Sequence, residues 1–235
     1  MNGIWILLLL IISAALPVIV VFFWFRARKS PVTLPWFLVS LTAGIISLLA
    51  ATIIQNLVPS LTGNRGSGPG AVFFKVFIRV AMVEEASRLI TLIPLFKAGS
   101  RRRKMDRTFC GALGLVAGLG FAALESAFYG IADVNMTLIR AFTAALIHGA
   151  CGIRVSMAFF YVKQHPMKAL LFFFFAVLIH GAYNLIIVSP ALPSWLAALV
   201  AVTALSSPLL FFKAADSADE NLITKTPGND NASSS

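Results

Sequence analysis

Acidic side chains are scarce in this chain. Nine Asp and Glu stand among 235 residues, against 19 Lys and Arg. Charged residues of both signs make up 12%, about half the share found in ordinary soluble domains. Too few polar side chains remain to cover a water-exposed surface, so a soluble globular domain is excluded. Disorder is excluded as well, because it requires low hydrophobicity; here 59% of residues are hydrophobic and the mean hydropathy is +0.89. Cysteine is nearly absent. Cys110 and Cys151 both lie in apolar runs, which leaves no disulfide framework. A net charge of +10 would suggest nucleic acid in a soluble protein. In a chain this apolar it marks one side of a membrane, and no nucleic-acid partner is expected.

What the chain does have is long apolar runs. A bilayer core of about 30 Å takes roughly 20 apolar residues per helix. Seven runs qualify, at about 4–25, 35–58, 71–96, 109–132, 137–162, 168–188 and 191–212. Turn chemistry separates them: Ser30-Pro31, the glycine-rich stretch 63–70, Gln164-His165-Pro166, and Ser189-Pro190 to Pro193. The expectation is an all-α, polytopic membrane helix bundle of about seven transmembrane helices. Residues 1–212 form one transmembrane domain, and the polar segment 213–235 reads as a disordered cytoplasmic tail.

The basic residues set the orientation. Arg26, Arg28 and Lys29 follow the first run, while Met1-Asn2-Gly3 before it has no positive charge. That pattern predicts a retained helix rather than a cleaved signal. Lys97, Arg101, Arg102, Arg103, Lys104 and Arg107 fill the third loop, Lys163 and Lys168 flank the fifth, and Lys213 and Lys225 lie in the tail. The other loops hold little besides Arg65, with Lys75 and Arg140 at helix starts. The positive-inside rule then puts the N-terminus outside and the C-terminus inside a cell membrane, with lipid as the surrounding partner.

Ionisable groups inside spans cost about 2.5–3.5 kcal/mol each on insertion scales and are functional candidates. The third run holds Arg79, Glu84, Glu85 and Arg88; the fourth holds Glu125; the fifth holds His148 and Arg154; the sixth holds His180. Arg88 follows Glu84 by four residues and Glu85 by three, so it reaches either carboxylate. Helical pairing therefore explains only part of the set. At about 1.5 Å per residue, Glu84 lies roughly 10–20 Å below the outer boundary, Glu125 about 10 Å, His148 about 16 Å and His180 about 12 Å. One layer in the outer half of the membrane thus collects residues from four runs, as the wall of a water-filled cavity would. Gly114 and Gly118 have the small-xxx-small spacing of close helix contact. Asn184 lies one turn beyond His180.

Peptide hydrolysis needs an activated water and a stabilised oxyanion. A carboxylate serves as base, and Glu125, His148 and His180 form a plausible zinc set across helices. A metal-dependent and a metal-free glutamate mechanism both stand open.

At these residues the sequence resembles the PrsW family of intramembrane proteases. The carrying motifs are Glu84-Glu85-Ala86-Ser87-Arg88, Gly118-Leu-Gly120-Phe121-Ala-Ala-Leu-Glu125, His148, and His180-Gly-Ala-Tyr-Asn184. Arg88 stands where the family has Lys, and Ser126 where it often has Asn. The arrangement is also similar to CAAX prenyl proteases and to the non-catalytic multi-pass scaffold subunit of γ-secretase.

The resemblance implies a membrane endopeptidase that cuts a membrane-anchored protein near its outer face, anti-sigma factors being the implied substrates. Glu84 or Glu85 is the expected base, with the other held by Arg88. Glu125, His148 and His180 are expected to bind metal or oxyanion, supported by Asn184. The alternative expectation is a non-catalytic membrane scaffold or chaperone. A proton-relaying transporter ranks last, because no inverted repeat is visible.

Overall fold

The computed structural model describes residues 3–57, 68–102, 105–132, 134–189, 191–193 and 195–207. Every regular element among them is helical. Helix α1 spans Gly3–Ala27 and α2 spans Leu34–Leu57. A third helical run starts as α3, Pro69–Phe73, with proline at its first turn, where a missing N–H costs nothing. It continues through a π-helical stretch, Phe74–Met82, into α4, Val83–Arg102. Then come α5, Arg107–Ala132, α6, Val134–Tyr161, and α7, Pro166–Val188. A short apolar helix, α8, spans Trp195–Ser207.

The first six apolar runs of the sequence each fall on one of these helical stretches. Four segments are long and apolar enough to cross a membrane: Leu34–Leu57, Arg107–Phe128, Thr143–Tyr161 and Pro166–Val188. The helix over the expected span 71–96 is continuous, but its buried charges take it out of the purely apolar class. The end of the expected span 191–212 and the whole tail 213–235 lie outside the described residues. Large apolar side chains face outward around the bundle, among them Phe23, Ile53, Leu170, Phe174 and Leu199. Hydrocarbon is the solvent that accepts such a surface.

Helix α5 is the centre of the bundle. It packs against α6 on one side and α2 on the other. Both contacts rest on backbone approach. A Cβ on Gly118 would lie 2.0 Å from the His148 carbonyl oxygen, and one on Gly114 would lie 2.2 Å from the Gly152 carbonyl oxygen. Only hydrogen fits at either place. On the other side the Ser40 hydroxyl donates to the Leu113 carbonyl and ties α2 to α5.

Arg154 explains itself at the far end of α6. Its Nη1 donates to the Ala150 and Ala204 carbonyls, at 2.9 and 3.0 Å, and its Nη2 donates to Ser207. The guanidinium thus ties α6 to the Ala204 carbonyl and the Ser207 hydroxyl of α8. Cys110 and Cys151 are both buried and form no disulfide among the described residues.

The close α5–α6 contact is testable. Gly118→Ala should lower stability by about 1–3 kcal/mol, the usual cost of overpacking, because the obstacle is backbone. Gly70→Ala, where a Cβ meets nothing within 4 Å, should leave it unchanged. Thermal unfolding of the detergent-solubilised proteins measures both.

Candidate active site

The Glu84-Glu85 pair opens α4, where the chain leaves the π-helical stretch. π-helical turns concentrate at functional sites, and this one brings Phe77 against α7. A Cβ on Gly181, beside His180, would meet the Phe77 ring at 2.3 Å. Gln55, near the end of α2, donates to the Arg79 carbonyl at 3.2 Å and reaches Glu84 Oε1 at 3.5 Å. It pins the wide turn and touches the first carboxylate. Arg79 takes part here through its main chain.

Glu84, Glu85, Arg88, Glu125, His148 and His180 are all buried, and the structure brings them together. Arg88 pairs with Glu85 through Nη1. Its Nη2 lies 3.1 Å from His148 Nδ1, and its guanidinium lies 4.5 Å above the Phe121 ring. His148 Nε2 is 2.7 Å from Glu125 Oε2. His180 Nδ1 is 2.7 Å from Glu85 Oε1. The two imidazoles stand edge to face, with centroids 4.8 Å apart.

The donor inventory fixes both tautomers. A guanidinium only donates and a carboxylate only accepts. His148 Nδ1 therefore accepts from Arg88, and Nε2 carries the proton it gives to Glu125. His180 carries its proton on Nδ1 and gives it to Glu85. Each ring thus has a carboxylate behind one nitrogen, the arrangement that fixes the other nitrogen of a ligating histidine. Glu85 and Glu125 are committed in this way.

Glu84 is not committed. Its Oε2 is buried without a hydrogen-bond partner among the described residues, and so is His180 Nε2. The two atoms face each other across 3.5 Å. Ligand atoms of Glu84, His148 and His180 lie within 4.8 Å of one another. The sequence offered Glu125 as the carboxylate beside the two histidines; in the structure Glu125 stands behind His148, and Glu84 lies with both rings. Asn184, half-buried on α7, makes no hydrogen bond to the cluster among the described residues. Gln55 is a contact residue that the sequence reading missed; Phe121 stood in the Phe121-to-Glu125 motif but without a role. The signal for Gln55 was present, as an amide inside an apolar run.

Fold and site together define a helical membrane protein with a carboxylate–histidine centre buried between its helices. The chain belongs to the PrsW family: the family described as PrsW family intramembrane metalloprotease matches residues 31–210. It is therefore a membrane-embedded protease that acts on a protein substrate. No curated protein and no solved structure matches the chain.

The family description implies a metal, and the donor set fits one. Two atoms of this set, Glu84 Oε2 and His180 Nε2, are buried without hydrogen-bond partners among the described residues, one a carboxylate oxygen and the other an imidazole nitrogen. Their 3.5 Å separation is close to the edge of a tetrahedron with ligand bonds of about 2.0–2.1 Å. Three carboxylates against one guanidinium also leave two formal negative charges, which a divalent cation balances.

The Glu85–Arg88 pair should behave as a unit. Glu85→Ala leaves a guanidinium buried without its carboxylate and should cost about 3–5 kcal/mol. Adding Arg88→Met should recover part of that loss. A double-mutant cycle in chemical denaturation measures the coupling.

Proposed function

We propose that the protein is a multi-pass intramembrane endopeptidase of the cell membrane, with its N-terminus outside and its C-terminus inside. It hydrolyses a peptide bond of a membrane-anchored protein in the outer half of the bilayer, with anti-sigma factors as the substrate class. The single observation that carries the catalytic reading is the uncommitted Glu84 oxygen facing the uncommitted His180 nitrogen. Every other carboxylate oxygen that supports a histidine is already engaged with it.

Roles follow from that division. Glu84 takes the proton of the attacking water, as a general base within hydrogen-bond reach of the reacting atoms. Glu85 holds His180, and Glu125 holds His148, each with one nitrogen turned inward. Arg88 offsets the charge of Glu85 and is itself held on the face of Phe121. Gln55 aims the Glu84 carboxylate. Zinc is the cation this set suits; it would be held by Glu84, His180 and His148, and Glu84 would then serve as a ligand in place of its role as base. When bound, such an ion supplies Lewis acidity, polarising a carbonyl and making water a nucleophile near neutral pH. Asn184 lines the same face of α7 one turn beyond His180 and is positioned to meet substrate.

The test is cleavage of a membrane-anchored substrate by the reconstituted full chain. Glu84→Gln should abolish cleavage, with the fold intact by thermal unfolding. Glu125→Gln should lower it by about 10–100-fold, the usual cost of losing a partner behind a ligating histidine. Undiminished cleavage by Glu84→Gln overturns the assignment of the base.

A further inference from the structure

Arg88 does more than balance charge. Its Nη2 sits 3.1 Å from His148 Nδ1, on the only lone pair that this ring has to offer. The other nitrogen gives its proton to Glu125 at 2.7 Å. His180 differs, because its Nε2 has no hydrogen-bond partner among the described residues and faces Glu84 Oε2 across 3.5 Å. The two histidines are thus unequal: one donor atom is open and the other is covered. The open ligand atoms of this centre are therefore those of Glu84 and His180.

We infer that Arg88 is a latch on His148, and that filling the pocket with a divalent cation requires Nη2 to leave Nδ1. This rests on the metal reading of the site given above. The movement asked of Arg88 is small. Nη1 keeps its pair with Glu85, and the guanidinium keeps its seat on Phe121, so only one arm of the fork must release. The latch also fixes how the ring is set. Arg88 forces the proton onto Nε2, which is the tautomer a metal on Nδ1 needs. It therefore holds the third ligand in readiness while competing for it.

Lysine at this position separates the latch from simple charge repulsion. A lysine keeps the positive charge but lacks the planar fork whose two arms reach Glu85 and His148 in fixed geometry. A glutamine removes both charge and bridge. The experiment measures zinc affinity of the purified, metal-stripped full chain in detergent, by competition with a chromophoric chelator. Arg88→Lys should bind zinc about 10–100-fold more tightly than the unaltered protein, the worth of one hydrogen bond from a charged donor. His148→Ala introduced into Arg88→Lys should remove that gain.

Tighter binding by Arg88→Gln alone, with Arg88→Lys unchanged, overturns the latch and leaves only repulsion. Equal affinity in all three proteins overturns it too. Absence of zinc binding in every protein overturns the metal reading beneath it. Thermal unfolding of each variant identifies a misfolded sample. Should both Arg88 variants misfold, the unaltered protein still decides the matter: zinc should move the Arg88 side-chain nitrogen resonances, and unmoved resonances in a zinc-loaded sample overturn the latch.

Discussion

The burial of Arg88 is the constraint around which this structure is organised. A guanidinium removed from water needs a carboxylate and further acceptors, and in a membrane-embedded bundle it cannot borrow them from solvent. Glu85 supplies the charge and His148 supplies the second acceptor. Phe121 supplies the negative face of a ring. Those partners come from α4, α5 and α6. Pairing the two terminal nitrogens of one side chain therefore sets the relation of three helices at the level of the site. Glu85 then extends the arrangement to α7 through His180. Glu84 is left over, and its freedom is what the neighbouring commitments create.

Close backbone contact makes the arrangement possible. Hydrogen bonds of 2.7 Å between helices tolerate little slack. With side chains of ordinary size between α5 and α6, the His148 ring would stand too far from Glu125. Gly118 removes that spacer by lying directly on the His148 carbonyl. On the other side of the site, the π-helical stretch does related work. Its wider turn lets Phe77 cover Gly181 while Gln55 secures a carbonyl in the turn.

Much of this was legible in the sequence, for a clear reason. Ionisable residues are conspicuous in apolar runs, so Glu84, Glu85, Glu125, His148 and His180 stood out, and rise per residue placed them in one layer. Which carboxylate serves which ring was not legible. Spacing along one helix carries no information about how it is rotated against the next. Arg88 reaches Glu84 and Glu85 equally well on paper; the structure pairs it with Glu85. The π-helical winding was hidden because the pattern was read with a period of 3.6 residues. Arg154 looked like an unexplained charge because its partners are two carbonyls and a hydroxyl, two of them some fifty residues on. Backbone acceptors have no signature in a list of side chains.

The interval between Gly118 and Glu125 has a further meaning. Seven residues are about two helical turns, so both lie on the same side of α5. One touches the main chain of His148 and the other holds its ring. The two contacts grip a single residue from above and below, like the jaws of a calliper. The stretch between them acts as a gauge block, and its length sets the grip. Inserting one residue there would turn Glu125 about 100° away from the ring while leaving the glycine contact untouched. Gly120 and Phe121 inside the stretch have contacts of their own, with the Leu41 carbonyl and with Arg88, so the gauge tolerates neither a change of length nor a change at those two positions.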